Sequence, residues 1–387
     1  MSTCNSTIAL LLLVFCLVVK VEMDEPSDMA AAATSSAATR SVVQPAFAWG
    51  WRVPQIFHRA ARHNIAIIID STASMLMVDK RCGKPKLPCA LAGIQTLLRR
   101  LRPCRTKTES CAPWQEDALD AVSVFTFPNI ASETVATEYD CSAVRPRVLP
   151  YSFPPSGKDG PSSTHVPEGP SQPEPGAGLT LGALHPTYQI VAFSSDYKAS
   201  GNSNGLNPAS DLVRALGGVA DCPGVKAPGG TSTYFAGAIY AAQASLAAQR
   251  QARPGSSNVL ILIGDGDANA SRFQLQIATD SGAYPSWINE CNQAVASALE
   301  ASIEGTRVYS VSYGSSSMGC PTDRPDSGLT SPCRVMQTIA SSPQTFFTVG
   351  EQEAGCPMSP HRESDMQGVF IQIAKSIQRD RGSPGHK

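Results

Sequence analysis

The sequence predicts an α/β fold, in which helices cover both faces of a doubly wound, mostly parallel sheet. Two apolar runs, "NIAIIID" at residues 64–70 and "NVLILIG" at residues 258–264, are typical of strands buried on both faces. Segments with helical spacing lie between such runs, among them "CALAGIQTLLRRL" at residues 89–101. Strands that alternate with helices indicate a parallel sheet with helices on both of its sides.

The remaining elements continue this alternation. Strand-like patterns occur at residues 120–128, 187–197, 306–314 and 344–350. Helix-like patterns occur at residues 232–251, 286–305, 334–342 and 365–379. We therefore expect one α/β domain over residues 63–380, followed by a short tail over residues 381–387.

The composition allows a full core and argues against nucleic acid as a partner. Hydrophobic residues make up 42% of the chain, and the net charge is −1. No long run of like charge occurs, and the near-neutral net charge gives no indication of nucleic-acid binding.

One region interrupts the alternation of strands and helices. Residues 129–186 are dominated by proline, glycine and serine, as in "PPSGKDGPSSTHVPEGPSQPEPGAG". Such a composition buries too little apolar surface to offset the entropy lost on ordering. We interpret it as a long disordered surface insertion rather than a linker between domains, because neither flank can complete a sheet alone.

The first residues predict export. The apolar run Ile8–Val19 is followed by Lys20 and is short for a membrane span, which needs about 20 residues. A secretory signal favours basic residues before its apolar run, and "MSTCNST" has none. We interpret residues 1–22 as a signal-anchor or signal peptide, with a buried core helix as the alternative, and residues 23–62 as a tether. The rest of the chain would then lie outside the cytoplasm, either anchored to the membrane or secreted.

The cysteines agree with export. The chain has 12 cysteines, and an even number in an exported protein predicts disulfide bonds. A zinc site is disfavoured, because no C-x-x-C pair occurs and the histidines are scattered along the chain. Close spacing favours three pairs without deciding the connectivity: Cys82 with Cys89, Cys104 with Cys111, and Cys320 with Cys333.

Two aspartates mark the ends of the two apolar strands. Asp70 ends the first strand, and Asp265 follows the second. In open parallel sheets, ligands bind beyond the carboxyl ends of the strands, so both carboxylates should project into one crevice. Thr72 and Ser74 alternate with Asp70 in the loop after the first strand and can face the same side. The sequence thus predicts an oxygen-rich site for a hard divalent cation such as Mg²⁺.

A third segment, "PGGTSTY", is expected at the same crevice. Two glycines, which let the backbone bend tightly near a ligand, precede Thr231. Thr233 stands at the next alternate position, and we interpret it as a helix N-cap. We interpret Asp267 and Asn269 as surface-loop residues, with a role in a second layer around the cation as the alternative. Taken alone, Asp70 also has a simpler interpretation as a helix cap.

The combined motifs resemble a von Willebrand factor A (vWA) domain with its metal-ion-dependent adhesion site. The motifs are D-x-T-x-S at residues 70–74, G-G-T ending at Thr231, and D-G beginning at Asp265. The resemblance covers residues 64–379 and implies a doubly wound sheet that binds a divalent cation, usually Mg²⁺, with Mn²⁺ or Ca²⁺ as alternatives. The family's commonest first motif is D-x-S-x-S, so Thr72 keeps the oxygen of the usual serine and adds a methyl group.

The same resemblance implies the role of each predicted ligand. Thr72 and Ser74 would coordinate the cation directly, Asp70 and Asp265 directly or through water, and Thr231 would complete the set. The cation would keep one open coordination position, which an Asp or Glu carboxylate of a partner protein would fill.

A narrower resemblance concerns the A domains of TadG-like proteins, which accompany bacterial Flp (tight-adherence) pilus assembly systems. It rests on "DSTASM", "CALAGIQTLL", "GGTSTYFAGAIYAAQ" and "NVLILIGDGDANAS". The resemblance implies a bacterial protein, anchored to the membrane by its N-terminal apolar segment and facing the periplasm or the cell surface.

Two other functions are alternatives to adhesion. "DSTAS" and "GDGDAN" also resemble loops of haloacid-dehalogenase-type phosphotransferases, which use Mg²⁺ and an aspartate nucleophile. However, Thr72 stands where most such phosphatases have a second aspartate, and no histidine lies beside a candidate nucleophile in the sequence. We therefore expect no enzyme activity and no catalytic residues. A structural envelope protein with a degenerate metal site is the remaining alternative.

Overall fold

The computed structural model describes most of the predicted α/β domain. The described residues are 62–104, 118–130, 187–201, 203–227, 233–264, 268–270, 272–273, 275, 278–314, 319–323, 331–349 and 361–380. All of them belong to one compact unit, His58–Lys387. The interpretations of residues 1–22 as anchor, 23–62 as tether, 129–186 as an insertion and 381–387 as a tail concern residues outside this set, apart from residue 62, which lies in a strand, and residues 129–130, which end another.

A mostly parallel sheet forms the centre of the unit, as predicted. Its strands are β1 (Arg62–Asp70), β4 (Asp120–Ile130), β5 (Thr187–Ser194), β6 (Ser256–Gly264), β7 (Thr306–Tyr313), β8 (Phe346–Val349) and β9 (His361–Glu363). The spatial order is β5-β4-β1-β6-β7-β8-β9, and among these described strands only the pair of β4 and β5 is antiparallel. The order therefore reverses direction between β1 and β6, which is the topological switch point of a doubly wound sheet.

Helices cover both faces of this sheet. Those within the described residues are α1 (Lys86–Arg100), α2 (Asp211–Ala215), α3 (Phe235–Ala252), α4 (Glu290–Ile303), α5 (Pro332–Ile339) and α6 (Met366–Asp380). The longer ones coincide with the helix-like patterns of the sequence. The α/β prediction with flanking helices is confirmed at this level.

Successive residues of β1 face two separate cores. Ile65, Ile67 and Ile69 belong to a cluster with residues of α1 and α6. Ala66 and Ile68 belong to a second cluster with residues of α3, α4 and α5. All five side chains are fully buried. A strand covered on both faces has no solvent-facing position, which explains why the sequence reads as a continuous apolar run.

Two features of the sheet were not predicted. A two-stranded antiparallel hairpin, β2 (Val78–Asp79) and β3 (Lys84–Pro85), lies between β1 and α1. The strand β4 continues to Ile130 and pairs with β5 in antiparallel fashion through a register with several shifts. An antiparallel neighbour needs no crossover helix.

Buried polar groups fix the amino ends of β1 and β4. His63 Nδ1 lies 3.0 Å from Asp120 Oδ1, and both side chains are buried. Arg253, which follows α3, donates a hydrogen bond to Asn64 Oδ1 at 2.6 Å. Because these bonds pair groups that are shielded from water, they hold the strand ends in register.

Disulfide bonds occur as predicted, and the described residues test two of the three favoured pairs. Cys82 is bonded to Cys89, as their spacing favours. Cys320 is bonded to Cys291, so the expected pair of Cys320 and Cys333 is wrong. The fold, rather than sequence proximity, brings the start of α4 beside Cys320. Three further cysteines are also in disulfides, namely Cys104, Cys222 and Cys333.

These bonds indicate an exported protein, because disulfides persist in oxidising compartments. Within the described part of the chain, no helix combines the length and the apolar character that crossing a bilayer requires. The apolar run Ile8–Val19 is not among the described residues.

Candidate metal site at the carboxyl edge of the sheet

The turn after β1 gathers three oxygen-bearing side chains. The hydroxyl of Thr72 donates a hydrogen bond to Asp70 Oδ1 at 2.6 Å, and the Thr72 backbone N–H donates to the same oxygen at 2.8 Å. The hydroxyl oxygens of Thr72 and Ser74 lie 2.9 Å apart. Asp70 and Thr72 are buried, whereas Ser74 is half-buried. The structure therefore brings these three predicted residues together at a point that solvent reaches from the Ser74 side.

The direction of these hydrogen bonds leaves oxygen lone pairs for a ligand. A hydroxyl has one proton and two acceptor lone pairs. Since Thr72 donates its proton to Asp70, the proton between Thr72 and Ser74 belongs to Ser74. Each hydroxyl then retains at least one lone pair, and a hard cation uses such lone pairs directly.

Bonds to the neighbouring strand β4 hold this turn in place. The backbone N–H of Ser71 and its hydroxyl both donate to the carbonyl oxygen of Phe127, each at 2.9 Å. Thr126 donates from its hydroxyl to the carbonyl oxygen of Ile69 at 3.0 Å. Beyond the turn, the chain enters a short 3-10 helix, Ala73–Leu76, for which Thr72 is the N-cap residue. Asp70 thus bonds to the turn itself, and the interpretation of Asp70 as a simple helix cap finds no support.

The carboxyl end of β6 meets the same turn. A Cβ atom placed on Gly264 would lie 3.3 Å from Asp70 Oδ2 and 3.2 Å from a ring carbon of Phe235. The position therefore has room for glycine and little else. The residue that follows Gly264 is the predicted ligand Asp265, so the chain leaves β6 beside the Asp70 carboxylate.

The start of α3 approaches the loop after β6. The backbone N–H of Asn269 donates to the Thr233 carbonyl at 3.2 Å, and the Thr233 N–H donates to Asn269 Oδ1 at 3.4 Å. The N-cap of α3 is Tyr234, so the prediction that Thr233 is the N-cap is wrong. Asn269 is half-buried and hydrogen-bonded to Thr233. It is therefore held more firmly in the structure than a residue of a solvated surface loop would be.

Thr231 and Asp265, the two remaining predicted ligands, lie outside the described residues, as does Asp267. The structure does describe residues close to them in the sequence. Thr233 is two residues from Thr231, and Gly264 directly precedes Asp265. Both neighbours lie within the described framework at the carboxyl edge, and the assignment of Thr231 and Asp265 as ligands stays a prediction.

A buried carboxyl group near the loop after β6 was not predicted from the sequence. Glu290, the first residue of α4, is fully buried. Burial raises the pKa of Glu290 to about 9, the negative charge of Asp323 adds to this rise, and the Ala270 backbone amide opposes it. The residue is therefore protonated at neutral pH. The "INEC" sequence at residues 288–291 offers no sign of this, because a glutamate in the first turn of a helix is usually solvated and favourable there.

No protein-family model matches the chain, and no curated protein matches it. Two crystal structures of the pilus adhesin SpaC from Lactobacillus rhamnosus GG, one of them in the open conformation, are similar in fold, with TM-scores of 0.40 and 0.41 and 12% sequence identity in both. Each match covers 84% of this chain and 30% of the adhesin, so the chain spans less than a third of the length of that protein. Similarity at this level assigns neither a family nor a function.

Proposed function

We propose that this domain is a metal-ion-dependent, protein-binding module of the adhesion type. The observation that carries the proposal is the cluster of Asp70, Thr72 and Ser74, whose oxygens lie within hydrogen-bonding distance of one another at the switch point of the sheet. The donors are one carboxylate and two hydroxyls, which suit Mg²⁺ and also Mn²⁺ or Ca²⁺. The site offers no nitrogen or sulfur from the turn, so softer metals are disfavoured there.

The vWA resemblance supplies the roles of the ligands in this proposal. Thr72 and Ser74 bind the cation through their hydroxyl oxygens, and Asp70 binds it directly or through water. Thr231 and Asp265 come from the other two segments that converge on the edge. In support, Gly264 lies against Asp70, and the Thr233 and Asn269 segments bond to each other.

The partner in this proposal is a protein that presents an Asp or Glu carboxylate. The cation carries a concentrated positive charge, and Asp70 beside it is buried, so a partner's carboxylate gains more there than it would in water. A single carboxylate can therefore decide whether two proteins associate. No catalytic step is part of this function, since the chain binds and does not transform its partner.

We further propose that the module is displayed outside the cytoplasm, held to the membrane by the Ile8–Val19 segment. The disulfides support an exported protein. The resemblance to TadG-like proteins suggests a place in Flp/Tad pilus assembly or in surface adhesion. Fractionation of the producing cells, followed by determination of the N-terminal residue, distinguishes an anchored protein from a cleaved and secreted one.

Calorimetric titration with Mg²⁺ tests the metal site. Wild-type protein is expected to bind the cation, while Asp70→Ala and Asp265→Ala are expected to show no binding heat and to retain a folded circular-dichroism spectrum. Asp221→Ala serves as the matched control, because Asp221 is an exposed aspartate in the loop after α2. Equal binding heats for the wild type and for both site variants would refute the proposed function.

The same proteins separate the other two functions. A haloacid-dehalogenase-type phosphotransferase would form an aspartyl phosphate with a phosphate ester, which acid quenching traps, hydroxylamine cleaves and Asp70→Asn abolishes. A structural protein with a degenerate site would bind neither Mg²⁺ nor phosphate. The adhesion-type function predicts Mg²⁺ binding without hydrolysis of a generic phosphomonoester.

A further inference from the structure

An exposed apolar ridge lies directly beside the candidate metal site. It consists of Leu76, Met77 and Val78, which are 52%, 62% and 64% exposed. The ridge starts within the 3-10 helix that contains Ser74, and the backbone N–H of Met77 donates to the carbonyl oxygen of Ser74 at 3.2 Å. Single exposed apolar residues are common on protein surfaces, but three in succession beside a candidate site mark a contact surface.

The ridge is held rigidly. It forms one side of the site hairpin, which we define as residues 76–86 and which contains β2 and β3. Cys82 is bonded to Cys89 at the start of α1, and the backbone N–H of Lys86 donates to the carbonyl oxygen of Met77 at 2.9 Å. A covalent bond and a backbone bond thus fix both arms of the hairpin to each other and to α1.

The far side of the hairpin is tied to β7. The Tyr313 hydroxyl donates to Asp79 Oδ2 at 2.5 Å, and Lys86 Nζ donates to the carbonyl oxygen of Gly314 at 3.0 Å. Strands β1 and β7 flank β6, so they are about 10 Å apart. The hairpin therefore reaches across the carboxyl edge of the sheet. Holding an apolar surface in one exposed conformation lowers the entropy lost when a partner binds it.

The site hairpin is also strongly basic, in a chain whose net charge is −1. It contains four basic residues and one acidic residue, Asp79, whose carboxylate already accepts bonds from Tyr313 and from the Arg81 backbone N–H. Lys80 and Lys84 are exposed. A surface that combines cations with an apolar ridge is complementary to a segment with carboxylates around an apolar side chain.

We infer that the site hairpin is the docking surface for an acidic, apolar segment of a partner protein. Met77 and Val78 contact the apolar side chain, and Lys80 and Lys84 face the flanking carboxylates. The inference rests on the proposed function for its place beside the cation, and it deepens that function by naming the chemistry of the partner. The docking surface is distinct from the cation site. The hairpin would bind the partner through its own charges and apolar side chains, whether or not a metal is bound.

Selection of peptides tests this inference. Random 12-residue peptides displayed on phage are selected on the immobilised full chain, once in Mg²⁺ and once in EDTA. The expected result is enrichment of sequences in which Asp or Glu stands within three residues of Leu, Ile, Phe or Trp. Enrichment of basic or purely polar sequences, or no enrichment in either buffer, overturns the inference.

Two hairpin variants and their matched controls then locate the binding. The apolar variant combines Met77→Ser with Val78→Thr, and the charge variant combines Lys80→Glu with Lys84→Glu. Each variant should bind the best synthetic peptide at least tenfold more weakly than the wild type does, as measured by fluorescence anisotropy. The apolar control, Leu299→Gln with Ile303→Gln, removes exposed apolar side chains from α4 instead. The charge control, Arg99→Glu with Arg100→Glu, reverses exposed charges at the end of α1. Both controls should bind like the wild type.

The two buffers separate this inference from the proposed function. If the peptide binds the wild type in EDTA and does not bind the hairpin variants, the hairpin is the docking surface. This conclusion holds even if the calorimetry finds no metal site. Binding that requires Mg²⁺ and Asp70 but is unchanged in the hairpin variants overturns the hairpin and leaves the proposed function standing.

Other occupants give distinct results. Self-association of the wild type in analytical ultracentrifugation, lost in the apolar variant, would assign the hairpin to a contact between copies and overturn the inference. Sedimentation with phosphatidylglycerol vesicles, lost in both hairpin variants, would assign it to an anionic lipid surface and likewise overturn the inference. Absence of both, together with peptide binding, supports the protein partner.

Discussion

Thr72 donates its hydroxyl proton to the carboxylate of Asp70 at 2.6 Å, two residues earlier in the same turn. In the proposed metal site, this bond would set the orientation of both side chains before any cation binds, because the carboxylate is held and the hydroxyl's lone pairs face away from its own proton. Ligands fixed in advance lose less entropy on binding than ligands that must be gathered. The extra methyl group of threonine, relative to the serine of the commonest vWA motif, further restricts the side-chain torsion.

Substitution of Thr72 tests this relationship. Thr72→Ser keeps the oxygen and should bind Mg²⁺ with an affinity within about threefold of the wild type, whereas Thr72→Ala should lose about tenfold or more. Without metal, the free energy of unfolding of Thr72→Ala should be about 1 kcal/mol lower than that of the wild type, since Asp70 Oδ1 loses one of its two hydrogen-bond donors. Calorimetry and urea unfolding measure the two effects. Equal Mg²⁺ affinities for the alanine and serine variants would exclude Thr72 as a ligand.

Gly264 provides a test of how closely β6 must approach the turn. In Gly264→Ala the new methyl group would lie 3.3 Å from Asp70 Oδ2 and 3.2 Å from the Phe235 ring, so these side chains have to move by a few tenths of an ångström. We expect a stability loss of about 1–3 kcal/mol together with weaker Mg²⁺ binding.

A second glycine serves as the control for this substitution. In Gly93→Ala the methyl group would meet the Phe370 side chain at 2.6 Å, between α1 and α6 and away from the metal site. This variant should lose stability but keep the Mg²⁺ affinity of its folded form. If both variants weaken Mg²⁺ binding equally, the effect comes from general destabilisation, and the contact of Gly264 with Asp70 has no special role.

The sequence predicts the sheet and most helices because their signals are local and strong. A run such as residues 64–70 has only one reasonable explanation when both faces of the strand are buried. The turn with Asp70, Thr72 and Ser74 is equally local, because three side chains at alternate positions depend on one backbone conformation. These parts of the fold and of the candidate site could be predicted from residue types alone.

The features that the sequence did not predict depend on long-range contacts. The bond of Cys320 to Cys291 follows from the packing of α4, and the spacing of cysteines contains no information on that packing. The site hairpin consists of two-residue strands, too short for an alternating pattern, and is fixed by Tyr313 from a distant strand. The high pKa of Glu290 likewise arises from burial that only the folded chain creates.

Glu290 makes stability depend on pH in a defined direction. Its pKa is about 9 in the folded protein and 4.5 in the unfolded chain, so folding retains a proton that the unfolded chain releases. The stabilisation is complete below pH 4.5 and is lost progressively as the pH rises through 9. Glu290→Gln removes this titration and should stabilise the protein by about 2 kcal/mol or more at pH 8. Urea unfolding of both proteins at pH 5 and pH 8 measures the difference, and a gain that is the same at both pH values would contradict the prediction.

Lys198 gives the opposite pH dependence at the other edge of the sheet. The residue is 4% exposed, and burial lowers the pKa of Lys198 to about 8; nearby Asp120 partly restores it, and Arg102 lowers it further. The unfolded chain, with a lysine pKa of 10.5, binds more protons between pH 8 and 10.5, so this residue makes stability rise with pH across that interval.

Substitution by methionine isolates this contribution. Below pH 8 the cost of burying the charge is present in full, and Lys198→Met should relieve it and stabilise the protein by up to about 3 kcal/mol at pH 7. The gain should shrink towards pH 10, where wild-type Lys198 is mostly neutral. Lys226→Met, in the loop after α2, is the matched control, because that lysine is exposed and should change stability little at either pH. Destabilisation by Lys198→Met at pH 7 would show that the attraction between Lys198 and Asp120 outweighs the cost of burial.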